Sequence, residues 1–256
     1  MLGLIVVCAE TGAGLAPHAL LDALLGAPLL ARGIAGALPT DEAVTGVLVV
    51  PADLVDKVKA EVIERFGLDE IDRVVAGGPD RKSALLAGLE ALPADVDLVV
   101  VQEGARVLTP VGLCDRVVAA ARAGSGSDGA VPAIVLRDVV GADEGGTLMS
   151  LDVRPHLRAL QGPSVFKLAA LKAALATTSD GEFSEVEVCV RNGGTIALVA
   201  GDDDNRLLRD AADASRALEV FARRAADYAF VYPSDLLPDD PLAKALDPSE
   251  TRTGNG

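Results

Sequence analysis

The sequence predicts an α/β fold, a doubly wound and mostly parallel sheet with a protruding β-arm. Three observations predict it. Short apolar runs alternate with longer stretches of helical spacing. The runs are apolar almost without interruption, as strands covered on both faces must be. The rhythm then breaks once, after Leu136, into short alternating pieces around a Gly-Gly pair.

In chain order, "LGLIVVC", "TGVLVV", "IDRVVAG", "DLVVVQ" and "GAVPAIVL" read as five buried strands. Between them "LVDKVKAEVIERFG", "DRKSALLAGLEAL" and "GLCDRVVAAARAG" read as helices, the first and last ending near Gly. Residues 137–155 read as a hairpin turning at Gly145-Gly146. "VFKLAALKAALATT" and "EFSEVEVCVRNGG" return to helical spacing. A strand "TIALVAG", the acidic turn "DDDN" and the helix "DAADASRALEVFARRAA" follow. The expected organisation is one domain over 1–227 and an acidic, Pro-containing tail over 228–256.

Composition narrows the function. A chain of 256 residues is long enough for a core without covalent staples. A formal charge of −15 argues against nucleic acid and acidic membrane surfaces as partners. The three cysteines, Cys8, Cys114 and Cys189, are far apart and read as plain buried thiols. The first apolar run is short and has no basic residue before it. It suits neither a signal peptide nor a membrane span, so a cytoplasmic protein is expected.

In open sheets of this kind ligands sit outside the carboxyl ends of the strands. That rule places Ala9 to His18, Gly77 to Arg81 and Glu103 to Arg106 on one rim. Gly12 and Gly14 suit either a phosphate cradle or a tight turn, and the loop around them carries no Lys or Arg. A dinucleotide fingerprint fails, because Pro17 stands where its third glycine belongs. "GDDDN" reads as a solvated turn before a helix or as a site for a divalent cation. Arg154 and Arg158, four apart, suit an anion pocket or surface pairs, and His156 reads as a surface residue.

The segments "VVAGGPDRKSALLAGLEAL", "DLVVVQEGARVLTP", "RPHLRALQGPSVF" and "NGGTIALVAGDDDN" give the chain a family likeness. In order and spacing it resembles the 2-C-methyl-D-erythritol 4-phosphate cytidylyltransferases of isoprenoid biosynthesis, from about Leu2 to Ala225. The resemblance implies transfer of a cytidylyl group from CTP to a sugar-alcohol phosphate, with Mg²⁺ present and pyrophosphate released. It implies nucleotide contacts at Ala9, Glu10, Thr11, Gly12, Ala13, Gly14, Gly77, Gly78 and Arg81. It gives the substrate Arg106 and Arg154, and the metal Glu103. A homodimer formed through the arm is implied as well.

The family's cations are where this chain departs. The loop Arg aligns with Gly14 or Leu15, the loop Lys with His18, and the later Lys with Leu207. Val139 replaces a hydroxyl, and Glu10 adds a carboxylate beside the nucleotide. A phosphoryl transition state is stabilised chiefly by positioned cations. The expectation is therefore a family member that has lost or altered nucleotidyl transfer. The alternatives are an active enzyme whose cations moved to Arg206, Arg209 or Lys82, and a transferase for another nucleotide or alcohol.

Overall fold

In the computed structural model, residues 1–8, 15–123, 126–136, 140–145, 147–152, 157–178 and 184–224 are described. Strand β1 (Leu2–Val7) has six buried residues because it lies mid-sheet with helices on both faces. After a single turn of 3₁₀ helix, β2 (Ala23–Leu24) and β3 (Ala27–Pro28) form a small hairpin. Its two turn residues, Leu25 and Gly26, have φ of 54° and 78°, the left-handed pair a tight hairpin needs. Helix α1 (Leu29–Ala37) follows, then β4 (Val44–Val50) and the short α2 (Val55–Val58), which continues as π-helix over Lys59–Glu64. Next come β5 (Ile71–Ala76), α3 (Arg81–Ala91), β6 (Leu98–Glu103), α4 (Leu113–Ala123) and β7 (Gly129–Val135).

The arm is the antiparallel pair β8 (Val140–Glu144) and β9 (Thr147–Asp152), a sheet of its own. The chain returns through β10 (Arg158–Leu160) and β11 (Ser164–Lys167), both antiparallel to β7. Helices α5 (Leu168–Thr177) and α6 (Glu185–Arg191), strand β12 (Ile196–Ala200) and helix α7 (Ala211–Arg223) complete it. The sheet order is β10-β7-β11-β6-β1-β4-β5, with β12 parallel to β7.

Helices α1, α4 and α7 pack on one face of the sheet, and α3, α5 and α6 on the other, each over its own apolar cluster. Arg32, 5% exposed, ties the first layer together. Its guanidinium donates to the Leu24 and Leu25 carbonyls and lies 4.4 Å from the Phe221 ring centre of α7.

The five expected strands and the arm are present. Three readings need correction. β5 is an edge strand with exposed Asp72 and Arg73, not a strand covered on both faces. "VFKLAALKAALATT" starts as strand, because Phe166 pairs with Val99 before α5 begins at Leu168. The acidic turn is not merely solvated. Asp202 and Asp204 accept from Arg224 at 2.5 and 3.1 Å, latching α7. Helix α1 lay hidden in "LLARGIAGA", whose glycines pack against Gly104 and Thr109. The three cysteines are buried and free, and among the described residues no helix is long and apolar enough to cross a membrane.

Candidate active site

The parallel strands β1, β4, β5 and β6 end together, and the residues just past β1, β5 and β6 are fastened to a neighbouring strand. Cys8 N–H donates to Val49, Gly77 N–H to Val50, and Gly104 N–H to Val7. Farther round the rim Leu15 N–H donates to Leu208, whose own N–H donates to Ala105. Cys8, Leu15, Gly77, Gly104 and Leu208 are thus tied together along one rim of the sheet. Residues Ala9, Glu10, Thr11, Gly12, Ala13 and Gly14, together with Val139 and Arg154, lie outside the described residues.

Gly77 and Gly78 are glycines because of close packing. A Cβ on Gly77 would stand 2.8 Å from Val49 Cγ1, and one on Gly78 would collide with Ser83 Oγ. The turn delivers Asp80 as N-cap of α3. Its carboxylate accepts from Ser83 N–H, which together with its other bonds to Ser83 and Lys82 holds its pKa below the usual range. Arg81 then opens the helix and points across the rim to the first residue of α6. Arg81 Nε donates to Glu185 Oε1 at 2.7 Å, with side chains only 15% and 6% exposed.

Burial disfavours the Arg81 cation, but the Glu185 and Glu103 carboxylates more than offset that, and its pKa is raised. Glu103 is governed by the same charges. Burial pushes its carboxyl up, yet Arg106, then Arg81, and the hydrogen bond from Arg106 hold it below the ordinary glutamate value. Arg106 Nε stands 2.7 Å from Glu103 Oε2, and its Nη1 donates to the Asn205 carbonyl at 2.9 Å.

Beneath this line of alternating charges lies a buried polar layer. Gln102 Nε2 donates to Thr109 Oγ1 at 2.9 Å, and Thr109 in turn donates to Asn205 Oδ1 at 3.1 Å. Asn205 Nδ2 donates to the Gly162 carbonyl at 2.7 Å. Gln102 Oε1 is the one buried side-chain acceptor among the described residues without a hydrogen-bond partner, and it faces Gly162. Reading the sequence did not single out Gln102, Thr109, Asn205 or Glu185 as a connected set. Their only signal was the family spacing around them.

Two of the positions that the resemblance aligns with family cations, His18 and Leu207, are described. His18 Nε2 lies 3.0 Å from Asp53 Oδ2, both side chains exposed. Leu207 packs against the apolar core. Of the residues considered as substitutes, Arg206 Nε donates to the Asp203 carbonyl and Lys82 Nζ to the Thr178 carbonyl at 2.6 Å. Magnesium is usually held by one or two carboxylates and the substrate's phosphates. Here Glu103, the position the resemblance gives to the metal, is bonded to a guanidinium. Among the described residues no three His, Cys, Asp or Glu side chains gather into a metal-binding group. Among the described residues Glu103 is the carboxylate that the resemblance offers to a metal, and its Oε2 is already engaged by Arg106.

Comparison with known proteins bears on the family and the fold. The family model for 2-C-methyl-D-erythritol 4-phosphate cytidylyltransferase matches residues 3–223. The cytidylyltransferase of Streptomyces avermitilis is 32% identical over 232 residues, covering 86% of this chain and 91% of that protein. The bifunctional enzyme IspD/IspF of Clavibacter michiganensis is 34% identical over 229 residues. That match covers 88% of this chain but 55% of the longer relative, so the chain spans about half its length. Among solved structures, the cytidylyltransferase of Thermus thermophilus superposes with a TM-score of 0.67 at 24% identity, over 84% of this chain and 96% of that one. The 4-diphosphocytidyl-2C-methyl-D-erythritol synthase of Anaerococcus prevotii gives 0.68 at 17%, over 86% and 97%. These two likenesses speak for the fold. With the family match spanning nearly the whole described chain, the protein belongs to the 2-C-methyl-D-erythritol 4-phosphate cytidylyltransferase family.

Proposed function

We propose that this chain is a cytoplasmic member of the family that keeps the scaffold and has lost or altered nucleotidyl transfer. One observation carries the reading. The cations left at matching rim positions already have carboxylate partners within the chain, Arg81 with Glu185 and Arg106 with Glu103. His18 likewise stands against Asp53. The scaffold positions two polyanions, but a developing phosphorane needs positive charge that is not already neutralised. Losing one preorganised donor costs roughly 10²–10³ in rate, and here a loop Arg, a loop Lys and a later Lys are all replaced. Nucleotide contacts at 9–14, Gly77, Gly78 and Arg81, and sugar-phosphate contacts at Arg106 and Arg154, remain part of the proposal as binding positions.

The test is pyrophosphate release from CTP, methylerythritol phosphate and Mg²⁺. The expected outcome is release no faster than without protein. Turnover in the ordinary enzymatic range of about 1–10³ per second would overturn the reading. A working cytidylyltransferase is the second reading, favoured by 32% identity to a relative named for that activity across 91% of its length. The same assay decides between them, and repeating it with other nucleoside triphosphates tests altered specificity.

We further infer a homodimer built on the arm. Supporting it, Val135 (55% exposed) and Leu160 (46%) present apolar surface at the arm's root, and Met149 (60%) does so on the arm itself. Light scattering after gel filtration should give twice the chain mass. A Met149→Asp, Leu160→Asp variant should give the single mass.

A further inference from the structure

We propose that Asn205 is the positioning residue for Arg106, holding in place the carbonyl that aims the Arg106 guanidinium at Glu103. The inference rests on the reading of Arg106 as a binding position of the rim. A guanidinium is a rigid planar fork on a long stem, and one hydrogen bond leaves the fork free to swing. Bonds from two different nitrogens fix its plane. Arg106 makes them, from Nε to Glu103 Oε2 at 2.7 Å and from Nη1 to the Asn205 carbonyl at 2.9 Å. Glu103 sits at the end of a side chain that is itself 29% exposed. The backbone carbonyl is the stiffer anchor, so the aim of Arg106 depends on how firmly that carbonyl is held.

Asn205 is fully buried, at 0% exposure. Its Nδ2 donates to the Gly162 carbonyl at 2.7 Å, and its Oδ1 accepts from Thr109 Oγ1 at 3.1 Å. Its own N–H donates to the Asp202 carbonyl at 3.0 Å, closing a turn. Gln161, the residue before Gly162, reaches the other way. Its Nε2 donates to the Asp202 carbonyl at 2.7 Å, and its Oε1 accepts from Asp202 N–H at 3.0 Å. Two side-chain amides therefore cross between the same two segments, each gripping the other's backbone. Farther along, Leu208 N–H donates to the carbonyl of Ala105, beside Arg106, at 3.0 Å. A carbonyl clasped in this way is a preorganised dipole, which engages a cation without rearranging. The residue type matters. An amide offers a donor to Gly162 and an acceptor to Thr109 from one short side chain, whereas an ionised carboxylate lacks the donor and a leucine lacks both.

The experiment follows Arg106 itself, through the nitrogen-15 NMR signals of its guanidinium in the full chain. Turning about the Nε–Cζ bond exchanges Nη1 with Nη2, and a fork held at two nitrogens keeps them distinct. The parent should therefore show two separate Nη signals for Arg106. Asn205→Leu should merge them, with circular dichroism showing the variant folded. Thr109→Val, which removes one of the two bonds to the Asn205 side chain, should reduce the separation, and Thr109→Ser, which keeps the hydroxyl, should restore it. If Asn205→Leu does not fold, the Thr109 pair decides. Signals already merged in the parent would overturn the proposal. So would signals that stay apart in folded Asn205→Leu or are unchanged in Thr109→Val, and so would a Thr109→Ser variant that behaves like Thr109→Val. None of these signals depends on turnover, so pyrophosphate release decides the proposed function separately.

Discussion

Removing the Glu185 carboxylate tests the internal neutralisation of the rim most directly. Arg81 Nε lies 2.7 Å from Glu185 Oε1, and the two side chains are 15% and 6% exposed. Deleting one partner of a buried pair costs about 3–5 kcal/mol, because the other charge is left without compensation. Glu103 also acts on Arg81 and relieves part of that cost. Glu185→Ala is therefore expected at the lower end, about 3 kcal/mol. For a domain of this size that lowers Tm by roughly 6–12 °C. Glu185→Gln keeps the shape and an acceptor oxygen, so its cost should be nearer 1–2 kcal/mol. Urea unfolding followed by circular dichroism measures both, with the slope unchanged. The Ala variant also leaves a guanidinium without its carboxylate, so pyrophosphate should stabilise it and leave the parent unmoved. If both variants unfold within about 0.5 kcal/mol of the parent, the pair does not hold Arg81, and the neutralised rim loses its foundation.

Gly162→Ala would bring a Cβ to 2.6 Å from Gln102 Oε1 and 3.1 Å from both Arg106 Nε and Glu103 Oε2. Overpacking there should cost about 1–3 kcal/mol in the same unfolding assay. Glu103 titrates below the ordinary glutamate value of 4.5 in the folded chain. Its contribution is thus complete above that value and is lost as pH falls through the folded pKa. The stability of Glu103→Gln should accordingly lie below the parent's at pH 7 and converge with it as pH falls below 4.5 and through the folded pKa. Asp53→Asn should change stability by less than about 0.5 kcal/mol, since its pair with His18 is exposed on both sides. Burial pushes the Cys8 thiol up to about 12 and the Cys189 thiol to about 11, and Cys114 is raised too. None of the three should react with a thiol reagent at neutral pH until the protein unfolds.

What the sequence made legible follows from how locally each feature is written. β1, β4, β6 and the first half of β7 are apolar runs with little interruption, which burial on both faces suits. β5 misled because Val74, Val75 and Ala76 look like a core strand. Asp72 and Arg73 beside them, both exposed, are the marks of an edge. β11 was hidden because four residues running straight into α5 carry no turn signal between them. The site divides along the same line. The expectation that family cations are replaced is read at Gly14 or Leu15, at His18 and at Leu207, one residue at a time. That Arg81 is already engaged could not be read so, because Glu185 lies 104 positions away and meets it only once α3 and α6 pack on the same face.

The bonds that flank the first loop bear on how such a family diversifies. Cys8 is pinned to Val49 and Leu15 to Leu208, each at 2.8 Å, by backbone groups alone. Neither anchor depends on which side chains lie in the six residues between them. Two rivets of backbone hold the frame on either side, indifferent to the letters written between them.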